Sequence, residues 1–180
     1  MPHISLGSDA PGIVSLLIYR PETAKPLCDL AETLLRGPGS LTPGERELIA
    51  AYVSGLNGCR FCCDSHAAFA AAQLPEGMPL VDQVRADPGT APVPARLRAL
   101  LAIAAAVQRG GKNVRAQDAE AAREAGASDQ EIHDAVLIAA AFCMFSRYVD
   151  GLATTLPDDP GDYAVAAEAI VKAGYAALVG

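Results

Sequence analysis

The sequence predicts an all-α protein, a single-domain bundle of about six to eight helices. Three observations predict it. Ala, Leu, Glu, Arg and Gln dominate nearly every segment, apolar residues recur at three- and four-residue intervals, and alternating β-branched runs are missing. The length, 180 residues, suits one core and is short for two. Hydrophobic residues make up 51% and charged residues 19%, which excludes disorder as a description of the whole chain.

The elements follow in order. Residues 1–22 read as an extended N-terminal lead-in, with Ile13-Val14-Ser15-Leu16-Leu17-Ile18 its one strand-like or buried piece. A first helix is expected from about Thr23 to Arg36, ended by Gly37-Pro38-Gly39. The next start is well marked: Thr42 is the N-cap, Pro43 the first helical residue and Glu45 the third position of a capping box. Leu48, Ile49, Tyr52, Val53 and Leu56 then form one apolar stripe. Asn57-Gly58 stops that helix, and the cysteine segment opens another that runs to about Gln73.

Prolines 75, 79, 88, 92 and 94 make the following stretch a connector with at most one short helix. Leu97, Leu100, Leu101, Ala104 and Val107 mark an amphipathic helix stopped by Gly110-Gly111, and a short helix follows over roughly Arg115 to Ala125. Ser128-Asp129-Gln130-Glu131 is a second capping box, and its helix carries Ile132, Val136, Ala139, Ala140 and Cys143 to Leu152 or beyond. After a turn-rich hinge, Pro157 to Asp162, a last alanine-rich helix is expected over Tyr163 to Leu178. It is apolar around most of its circumference, so it should pack on the domain or on a neighbouring subunit. The chain thus divides into a lead-in (1–22), a helical domain (23–156) and a C-terminal helix (157–180).

Composition narrows the partners. Net charge is −7, from 14 basic and 21 acidic residues, and no run of Lys or Arg offers a phosphate-binding stripe, so nucleic acid is not expected. The longest strongly apolar stretch, Ala135 to Phe145, is shorter than a membrane span and soon meets Arg147 and Asp150. No basic region followed by a long apolar stretch marks a signal peptide. The five cysteines, at 28, 59, 62, 63 and 143, are an odd and clustered set that suits a reducing compartment, and the expectation is a cytoplasmic protein.

The chemistry gathers in Asn57-Gly58-Cys59-Arg60-Phe61-Cys62-Cys63-Asp64-Ser65-His66. A C-x-x-C pair at a helix start places a thiol where backbone N–H groups and the helix dipole stabilise a thiolate. His66 follows Cys62 by one turn and Cys59 by two, so one helical face carries all three. Glu47, flanked by Ala50, Ala51 and Ser54, could meet His66 across a sharp turn at Gly58; taken alone it also reads as a solvated glutamate near a helix start. Cys63 lies about 100° away round the helix and reads as a buried small hydrophobe. Cys28 and Cys143 read as core residues, Arg60 as a cation that could favour thiolate, and Phe61 as a shield against water. The same donors permit a zinc reading, with Cys63 or Glu47 as a fourth ligand, but the second C-x-x-C or histidine pair that usually closes such a site is missing. Which thiol would attack stays open: His66 is nearer Cys62, while Cys59 is nearer the helix start.

At these residues the chain resembles the alkylhydroperoxidase D group of the carboxymuconolactone decarboxylase-like superfamily. The family pattern is a glutamate, eleven intervening residues, C-x-x-C, three intervening residues and a histidine, matched by Glu47, Cys59, Cys62 and His66. Phe142-Cys143-Met144-Phe145-Ser146-Arg147-Tyr148-Val149-Asp150-Gly151 also resembles the closing motif of its peroxidase-related branch, and Gly126 to Ile132 the turn before it. Two positions depart from the pattern: Phe61 replaces a second histidine between the cysteines, and Ser146 replaces an asparagine.

The resemblance implies an all-α, alkylhydroperoxidase D-like fold, a homo-oligomer of trimer or hexamer type, and a thiol peroxidase or disulfide reductase cycle with no haem, flavin or metal cofactor. Its catalytic residues would be Glu47, Cys59, Cys62 and His66, with Cys62 attacking and Cys59 resolving. The partners would be a hydroperoxide substrate and a thiol or dithiol-protein reductant. The decarboxylase relatives lack the redox pair, which argues against lactone decarboxylation.

Overall fold

The computed structural model describes residues 1–178 and contains nine α-helices and no strand among them. They are α1 (Ile13–Tyr19), α2 (Pro21–Arg36), α3 (Pro43–Leu56), α4 (Arg60–Ala71), α5 (Met78–Ala86), α6 (Ala95–Arg109), α7 (Ala116–Glu124), α8 (Asp129–Gly151) and α9 (Asp162–Ala173). Helix α3 is the axis of the bundle. It packs on α4, α6 and α8, and Leu48, Ile49, Ala50, Ala51 and Val53 are all sealed from solvent.

Both capping boxes form. Thr42 Oγ1 accepts the Glu45 N–H at 3.2 Å and Glu45 Oε2 accepts the Thr42 N–H at 2.8 Å. Ser128 and Glu131 repeat the arrangement at 3.2 and 2.8 Å. The two glutamates then share a cation: Arg96 of α6 donates to Glu45 Oε1 at 2.6 Å and to Glu131 Oε1, to which the Ser40 hydroxyl also donates at 2.9 Å. One guanidinium therefore fixes the N-terminal ends of α3 and α8 against α6.

Two expectations are corrected. Residues 13–19 are helical, not extended. Gly12, at φ 56°, turns the chain, the Ser15 hydroxyl donates to the Gly12 carbonyl at 2.8 Å, and Ser15, Leu16 and Leu17 are buried. Burial against the bundle outweighs the β-branched bias of Ile13, Val14 and Ile18. The lead-in is also tied to the chain after α8, through His3 N–H to Leu152 O at 3.0 Å and Gly12 N–H to Thr155 O at 2.9 Å. The C-terminal helix stops at Ala173, because Gly174 takes φ 72° and the chain continues as a 3₁₀ turn, Tyr175–Leu178. Within α9 only Ala167 and Ile170 are buried, on α4, so most of its apolar circumference is not covered within one chain. By length and composition alone α8 could also cross a membrane, but half of its apolar stretch is buried in the bundle, as in the core helix of a globular fold.

Candidate active site

The site is built where α3 and α4 meet. Asn57 and Gly58 reverse the chain, with Gly58 at φ 76°, so that α4 returns along α3. Glu47 is 0% exposed, which settles against a solvated surface glutamate, and its Oε2 lies 2.6 Å from His66 Nδ1. A carboxylate only accepts, so the Nδ1 atom carries the proton and Nε2 is left as the free acceptor. Edge-to-face contacts with Phe142 (ring centroids 4.5 Å apart) and Phe69 (5.2 Å) fix the imidazole plane.

The second oxygen of Glu47 is also satisfied. The Tyr175 hydroxyl donates to Oε1 at 2.7 Å, and the phenol ring lies roughly parallel to the imidazole, with centroids 6.2 Å apart. Sequence reasoning missed Tyr175. It stands 128 residues from Glu47, in a segment that reads as featureless helix, and only the break at Gly174 hints that its ring turns inward.

Cys59 is the N-cap of α4, and Cys62, three residues on, is its neighbour in a small cluster with Val149, Ile13 and Phe61. Both are free thiols. Both sulfurs are buried, with Cys59 0% and Cys62 4% exposed. The Cys62 thiol beside it, helped by the Cys62 N–H and opposed by burial and Asp150, holds Cys59 below the ordinary thiol range. Cys62 is driven far above that range, first by its neighbour Cys59 and then by burial. The dithiol thus keeps its proton on Cys62 and favours thiolate on Cys59.

Other sequence-singled residues fall as follows. Arg60 does not face the sulfurs; its side chain is 73% exposed and pairs with Asp64 at 3.5 Å. Phe61 packs on the cysteine cluster and on Gly12, where any side chain would run into its ring. Cys63 is buried against Gly55, and burial raises it. Cys28 is buried, as expected, and Cys143 is half-buried, packing on the edge of the core with the Asn57 amide beside it (Nδ2 to Sγ 3.7 Å). On α8, Asp150 raises both thiols, whereas Ser146, one turn earlier, lowers Cys62. The Ser146 hydroxyl is buried without a hydrogen-bond partner.

A cavity of about 50 Å³ is lined by Cys62, His66, Cys28, Phe142, Phe145 and Tyr175. An apolar cavity of about 220 Å³, lined by Phe61, Ser65, Phe69, Ile170 and others, shares His66 and Tyr175 as walls. Among the described residues no group of three or more His, Cys, Asp or Glu side chains has the arrangement to hold a metal ion.

The carboxymuconolactone decarboxylase family matches residues 21–74 and 75–155. The chain belongs to that family. Two solved members of the same fold stand well inside recognisable similarity. One is an uncharacterized peroxidase-related protein with an alkylhydroperoxidase AhpD core from Ralstonia eutropha JMP134, at TM-score 0.77 and 28% identity over 87% of this chain and 80% of that one. The other is an uncharacterized peroxidase-related protein from Silicibacter sp. TM1040, at TM-score 0.76 and 27% identity over 86% of this chain and 78% of that one. A protein of unknown function from Agrobacterium tumefaciens, at TM-score 0.70 and 22% identity over 82% of this chain and 99% of that one, shares the fold. No curated protein matches this chain. Of the residues singled out in the sequence, Glu47 touches His66, Cys62 shares a cavity wall with His66, and Cys59 lies beside Cys62.

Proposed function

We propose that the protein is a thiol-dependent hydroperoxide reductase whose redox pair is Cys59 and Cys62, with His66 as base and Glu47 as its orienting partner. The observation that carries this reading is the buried Glu47–His66 contact at 2.6 Å on the same cavity as Cys62. His66 Nε2 takes the Cys62 proton as the sulfur attacks the terminal oxygen of the hydroperoxide. The O–O bond breaks, the alkoxide leaves with the proton held by His66, and Cys62 becomes a sulfenic acid. The Cys59 thiolate then attacks that sulfur. An S–S bond forms, the S–O bond breaks, and hydroxide departs, taking a solvent proton to become water. A low-molecular-weight thiol or a dithiol protein returns both sulfurs to the reduced state. The raised Cys62 is the thiol that needs a base, and the lowered Cys59 is the readier of the two to ionise for the second step.

The apolar cavities favour an organic hydroperoxide over hydrogen peroxide. The redox pair argues against decarboxylation, although family members can be decarboxylases. Burial of both sulfurs disfavours a general disulfide oxidoreductase acting on protein substrates, because a protein disulfide must reach the attacking sulfur. The cysteine donors also do not converge as a zinc site would require. The exposed apolar side chains Leu137, Met144, Val165 and Val171 support association of copies of the chain as a trimer or hexamer, and the clustered thiols fit the cytoplasm. Consumption of cumene hydroperoxide and reduction of insulin disulfides, measured side by side with a dithiol reductant, test the assignment. Peroxide turnover with little insulin reduction is expected; the opposite pattern would replace it with the oxidoreductase reading.

A further inference from the structure

Tyr175 is bound to the site by more than its hydroxyl. Its backbone N–H donates to Glu32 Oε2 at 2.8 Å, and Arg36 Nη2 donates to the Val171 carbonyl at 3.2 Å. Gly174 makes this possible twice over. Its φ of 72° suits glycine, and a side-chain carbon there would lie 2.5 Å from the Glu32 carboxylate. Helix α2 therefore sets the height and angle of the phenol from outside the site, so the ring is placed and does not merely fill a gap. The 5% exposed phenol has a single proton to give, and it gives it to Glu47. Burial, and then the Glu47 charge, push Tyr175 well above the ordinary tyrosine range, so it remains a donor at any working pH.

We infer that Tyr175 is a positioning residue for the reaction. Its hydroxyl holds Glu47 Oε1, which leaves Oε2 to fix the Nδ1–H tautomer of His66 and keeps Nε2 turned toward the cysteine cavity. This rests on the proposed role of His66 as base. Without the hydroxyl, a buried carboxylate oxygen loses its donor, and the more basic carboxylate pulls harder on the Nδ1 proton. The imidazolium is then favoured, and free base survives only at higher pH. The other titratable groups facing this cluster are Glu32, Arg36 and Cys28 of α2 and Cys62 of α4. All remain in Tyr175→Phe.

The test compares wild type, Tyr175→Phe and Gly174→Ala in full-length protein. Tyr175→Phe keeps the ring and the fold but should lose several degrees in melting temperature, so rates are compared well below the transition. Its rate of cumene-hydroperoxide-driven thiol loss should fall about 10-fold near neutral pH, the size expected for one hydrogen bond to a charged group. The acidic limb of its pH–rate profile should move to higher pH. Gly174→Ala, which displaces the phenol without changing its chemistry, should move both in the same direction. Nitrogen-15 NMR of His66 supplies a readout that needs no peroxide activity. Wild type should show the Nδ1–H tautomer, and Tyr175→Phe the same tautomer with a raised titration midpoint. A wild-type chain inert to peroxide but with this NMR difference would remove the peroxidase reading and leave the positioning role standing. A Tyr175→Phe protein with unchanged profile and unchanged His66 titration midpoint would overturn it, and so would a loss confined to Gly174→Ala.

Discussion

Glu47 and His66, nineteen residues apart in sequence, meet at 2.6 Å, with Glu47 sealed from solvent and His66 nearly so. The contact fixes which imidazole nitrogen is free, and the rest of the proposed chemistry depends on that choice. Glu47→Gln offers an amide that can donate as well as accept, so the Nδ1–H tautomer is no longer enforced. Peroxide-driven thiol oxidation should fall by about 10²–10³-fold, within the range for loss of general base action. Stopped-flow measurement of thiol loss against cumene hydroperoxide checks this, with circular dichroism to show that the fold is kept.

The cysteine pair should titrate asymmetrically. Thiolate absorbance near 240 nm should show one ionisation below the ordinary thiol range, abolished in Cys59→Ser and shifted upward in Cys62→Ala, which loses the donor that stabilises it. Asp150 opposes that thiolate, so Asp150→Asn should move the same ionisation downward. An ionisation that survives Cys59→Ser would assign the low thiol to the wrong residue.

Alkaline pH should destabilise the fold. Cys28 and Cys63, raised by burial, and Cys62, raised first by Cys59, keep their protons in the folded chain when the unfolded chain has released them. Above about pH 8.5 the folded state binds more protons than the unfolded one, so stability falls as pH rises. Cys59 works in the opposite direction: its stabilisation is present at high pH and is lost as pH falls through its lowered value. Three thiols against one make the net effect a loss, read as a falling melting temperature between about pH 8 and pH 10. Cys63→Ala should flatten that fall.

Arg96 should be a structural residue without a catalytic signature. Arg96→Ala leaves Glu45 and Glu131 capping their helices without the shared cation. A cost of about 2 kcal/mol is expected for this partly buried pair of charge-assisted bonds, a fall of roughly 4–8 °C in a domain of this size. Thermal denaturation measures it, and the thiol oxidation rate below the transition should stay at the wild-type value.

Periodicity and caps made most of this fold legible. Thr42–Glu45 and Ser128–Glu131 announce α3 and α8 because a capping box is a local device whose partners lie within one turn. Glu47, Cys59, Cys62 and His66 are legible for a similar reason: a hairpin of two helices brings nearby sequence together. Helix α1 was not legible, because Ile13 to Ile18 is helical only through burial against a site formed by distant residues. Tyr175 was not legible either. Its partner lies across the bundle, and it carries no spacing that distinguishes it from a surface side chain, whereas Asp150 falls in the closing motif but nothing local ties it to the cysteines.

The most direct measurement is a thiol titration of native protein before and after one equivalent of cumene hydroperoxide, with mass mapping of the product. Wild type, Cys59→Ser, Cys62→Ser and His66→Ala would be compared. Loss of two thiols in wild type, a mapped Cys59–Cys62 bond, slowed oxidation in His66→Ala and a trapped sulfenic acid on Cys62 in Cys59→Ser are the predicted results. Thiols that ignore peroxide but oxidise readily with a dithiol-exchange reagent would contradict the peroxidase assignment.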